Sequence, residues 1–278
     1  MRIFHTLWTK PLRADRIPVT LLCYAISFYY AKQLGAEVVL HTDDLGANLL
    51  EFIPYDEIYV DLNEIPDKIT RFWAYGKLYA TAHEPLGSVH IDGDVFLKHA
   101  TLKNYFTGNS DLVVQSEEGD DWRTDYTYEM TQTALGTEPI PQHLNLYHDK
   151  AYNCGVVQLN NQELKRRYLA AYFRTVEMSL ADKSYPVREA MIKNTFGQYG
   201  CIIPDIVAEQ QFLHELAQLY TVKTILVGDV CADGIKKGYT HLCTAAKYEM
   251  RPDLETMLGE IDPMMLCKVH EQIQQLNS

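Results

Sequence analysis

Short apolar runs alternate with longer helical patterns through the first half of the chain, and this rhythm constrains the fold more than any other feature. The runs are Arg2–Trp8, Glu37–His41, Glu57–Val60 and Ser88–Ile91, and the helical stretches between them are Pro18–Leu34 and Arg71–Ala82. Parallel strands need a crossover that a hairpin turn cannot supply, so the alternation predicts βα units feeding a mostly parallel sheet. Pro18 suits the first turn of its helix, where no N–H is required, and Gly35 suits a left-handed helix cap before the next strand. Further strands are expected at Asp111–Gln115, Gly155–Leu159 and Val222–Val227, and helices at Gln162–Leu180, Val187–Phe196 and Asp205–Leu219. Glu117 to Asp149 is acidic and polar without a sustained period, which reads as a long surface excursion. No internal repeat and no linker rich in Pro, Gly or Ser divides the 278 residues. The expected architecture is therefore one α/β domain over 1–278, with a mostly parallel central sheet flanked by helices and a more helical second half.

Charge narrows the partners. Acidic residues number 37 against 25 basic ones, a formal charge of −12, and no run of Lys and Arg is long enough to follow a phosphate backbone. Nucleic acid is excluded on that ground. The six cysteines are scattered, with no C-x-x-C pair, which argues against a zinc site or a secreted disulfide framework and for a reducing cytosol. Met1–Trp8 contains no apolar signal core, and the apolar stretch Val19–Ala31 is too short and too interrupted to span a bilayer. The expectation is a cytoplasmic protein without a transmembrane segment, peripheral at a membrane only through partners.

The sharpest motif is Val89-His90-Ile91-Asp92-Gly93-Asp94-Val95, two carboxylates separated by a glycine between apolar runs. Ligands of open α/β sheets collect at the carboxyl ends of strands, where Asp92 and Asp94 stand if Ser88–Ile91 is a strand. Two carboxylates there want a cation, and strand alternation aims both side chains the same way. The alternative is a plain turn, since Asp-Gly is a common hairpin dipeptide.

A second motif, Gly238-Tyr239-Thr240-His241-Leu242-Cys243-Thr244-Ala245-Ala246-Lys247, lies near the C-terminus. The D-x-D at 92–94 together with this H-x5-K resembles the nucleotide-sugar glycosyltransferases of the GT-A fold, and within them the retaining glycogenin and lipopolysaccharide galactosyltransferase group. The resemblance implies Asp92, Asp94 and His241 as metal ligands and Lys247 on the donor diphosphate. It implies a nucleotide-binding half over 1–115 and an acceptor half with C-terminal helices over 116–278. It also implies a UDP-sugar donor, an unspecified glycan, lipid or protein acceptor, and transfer with retention. Lys77-Leu78 stands where that group carries Arg-Leu on the helix before the D-x-D, placing Lys77 on the donor. Glu209-Gln210 matches part of a D-Q-D tripeptide near the reacting sugar, which makes both residues catalytic candidates. Trp8 and Lys10, at the end of the first strand, become donor-binding candidates, with Trp8 stacking on a nucleobase or else serving as a core aromatic. Asn153 faces the sugar or acceptor in this scheme, or is an ordinary turn residue before a strand.

The chemistry is coherent without the family. A sugar nucleotide brings a diphosphate to an already acidic protein, so a divalent cation has to bridge phosphate and carboxylate and stabilise the departing nucleotide. Two aspartates and one imidazole form a mixed oxygen and nitrogen set that favours Mn²⁺, with Mg²⁺ as the other option.

Two alternatives compete. Ile91–Val95 also resembles the first motif of haloacid-dehalogenase-type phosphatases, and Gly228-Asp229-Val230-Cys231-Ala232-Asp233 their late one. That scheme makes Asp92 the nucleophile, Asp94 the acid/base and Asp229 and Asp233 the Mg²⁺ ligands. Phe96 four residues after Asp92, and ninety residues of βα pattern before it, count against this reading. The other alternative is a catalytically silent GT-A-like protein that binds sugars or partners.

Overall fold

The computed structural model describes residues 1–119, 150–181, 205, 207–228, 238–242 and 245–276. The strands are β1 (Arg2–Leu7), β2 (Glu37–Thr42), β3 (Glu57–Tyr59), β4 (Val89–Ile91), β5 (Val95–Leu97), β6 (Leu112–Gly119), β7 (Lys150–Leu159), β8 (Thr224–Leu226) and β9 (Tyr239–His241). Seven of them form one sheet in the order β3-β2-β1-β4-β7-β6-β8, while β5 and β9 form a separate ribbon. Neighbours in the large sheet are parallel except at β4–β7 and β6–β7, so β7 alone runs against the rest. The α/β class and the mostly parallel sheet expected from the βα rhythm are what the chain adopts. The reversed β7 carries no local sequence signal.

Helix α1 (Ile17–Gln33) has Pro18 in its first turn, and Gly35 beyond its end takes φ +73°. Every residue from Leu21 to Phe28 is buried, because the sheet covers one side of α1 and helices α6 (Arg251–Ile261) and α7 (Pro263–Leu276) cover the other. Between them come the short α2 (Asp44–Leu49), α3 (Tyr75–His83), α4 (Gln162–Ala181) and α5 (Phe212–Leu219). The α1 face of the sheet is one core, with Ile3, Leu7, Val38 and Leu40 turned to it. The opposite face is a second, where Trp8, Phe72 and Leu78 pack with Tyr168 and Tyr172 of α4 and Phe212 and Leu216 of α5. Alternation along β1 sends Ile3 and Leu7 to the α1 face and Phe4 to the other, where it packs with Val39 and Ala80, as a sheet covered on both faces requires.

Three boundaries differ from expectation. The helix expected from Arg71 begins only at Tyr75, because the Ala74 N–H is held by the Asp205 carboxylate at 2.7 Å and the Phe72 N–H by the Ile69 carbonyl. Glu117 to Gly119, expected to open the excursion, extend a strand pair instead, with Glu117 opposite Tyr152 and Gly119 opposite Lys150; the rest of the expected excursion, 120–149, lies outside the described residues. The helix expected over Asp205–Leu219 carries a wide π turn at Val207–Gln211 before α5. Such turns concentrate at functional sites. The helix expected at Val187–Phe196 lies outside the described residues.

Candidate functional site

Strand β4 ends at Ile91, where the Asp92 N–H donates to the Gly155 carbonyl at 2.8 Å. The Val95 N–H then donates to the Asp92 carbonyl at 3.0 Å, so Asp92-Gly93-Asp94 is a tight turn leading from the large sheet into the β5–β9 ribbon. The turn, not strand alternation, sets both carboxylates. Its glycine is compulsory for a reason the sequence conceals: a Cβ on Gly93 would lie 2.2 Å from Cε2 of Tyr24. The Tyr24 ring on α1 supports the turn from below, and its hydroxyl donates to the Thr6 carbonyl on β1.

The ribbon brings in His241. Val95 of β5 sits opposite His241 of β9, and the Leu242 N–H donates to the Asp94 carbonyl at 3.0 Å. The imidazole lies over Gly155, where a Cβ would come within 2.6 Å of its Cε1. Ligand atoms of Asp92, Asp94 and His241 all fall within 4.8 Å of one another. His241 Nε2 is 3.6 Å from Asp94 Oδ1, beyond hydrogen-bond length, and its buried Nδ1 has no hydrogen-bond partner among the described residues. A structural histidine would be bonded through a ring nitrogen; among the described residues this one shows no hydrogen bond at Nδ1 and only a long approach to Asp94 at Nε2, and with two carboxylate neighbours the set fits one divalent ion.

Two lysines brace the carboxylates. Lys77 of α3 is buried and reaches Asp92 Oδ1 at 2.8 Å and Glu209 Oε1 at 2.6 Å, while donating to the Cys154 carbonyl at 3.1 Å. Lys247 Nζ meets Asp94 Oδ2 at 2.5 Å across 153 residues of sequence. Burial by itself would discharge both ammonium groups, but the carboxylates outweigh it and hold each above the ordinary lysine range. Glu209 is fully buried in the π turn. Burial pushes its carboxyl up against the pull of Lys77, and its Oε2 has no hydrogen-bond partner among the described residues. Beneath it, burial raises Asp205 to about 7 despite donors from Tyr172 and Ala74. Behind the aspartates, burial and the nearby Lys77 keep His90 neutral, its pKa well below the usual imidazole range.

Asp92, Asp94, His241, Lys77, Lys247 and Glu209 are thus drawn together from five places in the chain. Other candidates are not part of that cluster. Trp8 is a core aromatic, tilted against Tyr75 at 6.5 Å and pressed by Gly76, whose Cβ would fall 2.9 Å from it. The buried ring faces leave no room for a base to stack. Lys10 pairs with Asp67 at 2.7 Å and donates to the Ile65 carbonyl. Gln210 follows Glu209 in the π turn and is half-buried. Asn153 is buried, with Oδ1 accepting the Gly155 N–H at 3.0 Å and Nδ2 donating to Glu118 at 2.6 Å. Both ends of its amide are spent on shaping the strand that carries Gly155. Asp229 and Asp233 lie outside the described residues. Sequence reasoning missed Tyr24 and Gly155; a glycine inside an apolar strand was the available signal for the second, since it marks close approach of another group.

The profile of a family of unknown function, DUF6734, matches residues 1–251. No curated protein sequence matches the chain. Among solved structures, the apo form of mouse xyloside xylosyltransferase 1 is similar to it with a TM-score of 0.39 and 12% identity, over 81% of this chain and 84% of that one. Among the described residues no helix is long and apolar enough to cross a membrane.

Proposed function

The chain belongs to DUF6734, a family of unknown function, and we propose that it is a metal-dependent glycosyltransferase of GT-A type using a nucleotide-diphosphate sugar. One observation carries the reading: Asp92, Asp94 and His241 offer ligand atoms within 4.8 Å of one another at the carboxyl end of β4, flanked by two charged lysines. That is the position where an open α/β sheet receives a ligand, and the pairing of cation ligands with fixed ammonium groups suits a diphosphate better than a lone phosphate or a neutral substrate.

In this reading Asp92, Asp94 and His241 hold the ion, with Mn²⁺ favoured by the mixed donor set. When bound, the ion supplies Lewis-acid stabilisation of the leaving nucleotide. Lys247 gives the diphosphate a compact positive charge, exchanging its Asp94 partner for phosphate oxygens. Lys77 has a different task. It bridges Asp92 and Glu209, so it fixes the orientation of Asp92 and keeps the buried Glu209 carboxylate paired. Glu209 and Gln210 act from the sugar side, Glu209 through Lys77. No carboxylate outside the cluster is required as a base if the sugar is transferred with retention, as the resemblance to the glycogenin and lipopolysaccharide galactosyltransferase group implies. Strands β4, β7 and β6 join the proposed nucleotide-binding half, 1–115, to the acceptor half within one sheet.

Thermal shift and donor hydrolysis with a panel of UDP- and GDP-hexoses, each with and without Mn²⁺, test the proposal. A ligand that binds only the native state raises the melting temperature by mass action, so the expected result is stabilisation by at least one donor that needs Mn²⁺, with slow release of free sugar. Stabilisation by none of them, with no hydrolysis, rejects it.

A further inference from the structure

We infer that Trp73 is the stacking platform for a pyranose ring at this site, a role that rests on the glycosyltransferase reading. Its side chain is 38% exposed, unusual for an indole, while both neighbours, Phe72 and Ala74, are buried. The exposure is built into the backbone. The Ala74 N–H is held by Asp205 Oδ2 at 2.7 Å, the Phe72 N–H by the Ile69 carbonyl at 2.8 Å and the Tyr75 N–H by the Phe72 carbonyl at 3.0 Å. Asp205 is itself buried and takes the Tyr172 hydroxyl on its other oxygen at 2.6 Å. The indole is therefore presented to solvent by a clamped turn.

What it is presented beside decides the ligand. Lys77 Nζ lies 6.0 Å from the Trp73 ring centroid and 2.8 Å from Asp92 Oδ1. Trp73 thus borders the Lys77–Glu209 side of the cluster, whereas His241 enters on the β5–β9 ribbon and Lys247 from the helical turn Ala245–Glu249. With Lys247 assigned to the diphosphate, the Lys77 side is left for the sugar. A pyranose suits the indole and the partly exposed Asp92 there: its C–H face carries partial positive charge and stacks on the electron-rich indole face, while its hydroxyls donate to the Asp92 carboxylate that Lys77 holds in place. The ring could belong to the sugar being transferred or to the acceptor's terminal sugar. The chemistry is the same, and the two are separable by experiment.

The probes are UDP and GDP and their glucose, galactose and mannose conjugates with Mn²⁺, titrated into the full chain and into Trp73→Ala and Trp73→Phe. Melting temperatures of all three should agree, since the indole is exposed. For the transferred sugar, Trp73→Ala should weaken the nucleotide-sugar roughly tenfold, the scale of losing one aromatic anchor, leave the free nucleotide unchanged, and be rescued by Trp73→Phe. For the acceptor sugar, both donor affinities stay as in the parent while transfer to added mono- and disaccharides loses affinity for the acceptor and donor hydrolysis is retained. Equal weakening of free nucleotide and nucleotide-sugar would make Trp73 a nucleobase platform and overturn the inference. So would unchanged donor affinity with unchanged transfer. If the parent itself binds no nucleotide-sugar, the functional reading falls and this inference with it.

Discussion

Two charged clusters among the described residues differ in how far their hydrogen bonding is completed. In the first, both Glu84 oxygens are taken, by Arg2 at 2.8 and 3.0 Å and by His41 Nε2 at 3.0 Å, and His41 Nδ1 meets Asp61 at 2.8 Å. In the second, around Asp92 and Asp94, His241 Nδ1 and Glu209 Oε2 are buried without hydrogen-bond partners among the described residues. The first network leaves one of its atoms, Asp61 Oδ1, buried without a partner among the described residues and gains stability from the rest of its pairing, whereas the open one keeps metal-ligating atoms desolvated and available, at a cost of about 1–3 kcal/mol for each unsatisfied group. Burial and charge alone do not mark a ligand site, nor does a single unpaired atom; an unpaired imidazole nitrogen grouped with two carboxylates within reach of one ion does.

The comparison can be broken most sharply at the aspartates. Asp92→Asn and Asp94→Asn should each reduce Mn²⁺-dependent nucleotide-sugar binding by roughly 100-fold or more while leaving the melting temperature nearly unchanged, as titration calorimetry beside thermal denaturation would register. Binding that survives both substitutions would make Asp-Gly-Asp a plain turn. The mirror experiment is Glu84→Gln in the first network. It should destabilise the fold by up to roughly 3 kcal/mol by removing one partner of a buried pair, read from urea unfolding, with Mn²⁺ affinity unaltered.

Gly155→Ala links packing to the open cluster. The added methyl collides with the His241 ring, so metal affinity should fall roughly 10- to 100-fold, the range seen when ligand orientation is lost, with a smaller effect on unfolding than Glu84→Gln.

Acidity offers a gentler test. Hydrogen bonds from His41 and Arg2, opposed by burial, bring Glu84 down from 4.5 to about 2, so its contribution is complete above 4.5 and is lost as pH falls toward 2. His41 is shifted the other way: burial would lower it, but Asp61 and Glu84 raise it above 6.5, so its contribution is complete below 6.5 and is lost as pH rises through its folded value. The first network should stabilise most between 4.5 and 6.5, and Glu84→Gln should flatten that part of the stability profile. The smallest effect is the most discriminating for the open cluster. Lys247→Met removes the ammonium resting on Asp94, so affinity for Mn²⁺ alone should rise severalfold while affinity for the nucleotide-sugar falls. A drop in both would mean Lys247 only supports the carboxylate.

Local patterning by itself determined the βα order, the α1 boundaries at Pro18 and Gly35, and the two motifs at 92–94 and 241–247, because periodicity, helix caps and short motifs are carried by neighbouring residues. The resemblance to the glycosyltransferase group, not local patterning, singled out Lys77 and Glu209. Only the tertiary structure decided that these two meet each other, 132 residues apart, and that Glu209 is buried behind Lys77. The same holds for Trp8 and Asn153, whose sequence positions allowed a ligand role but whose side chains are consumed by packing and by the Gly155 bend. Trp73 lay in a stretch that read as helix, and its exposure depends on an Asp205 clamp from the far end of the chain. The physical reason is common to all of them. Whether a side chain is free to bind is set by which of its atoms are already paired, and pairing between distant segments is a property of register and approach that no local pattern encodes.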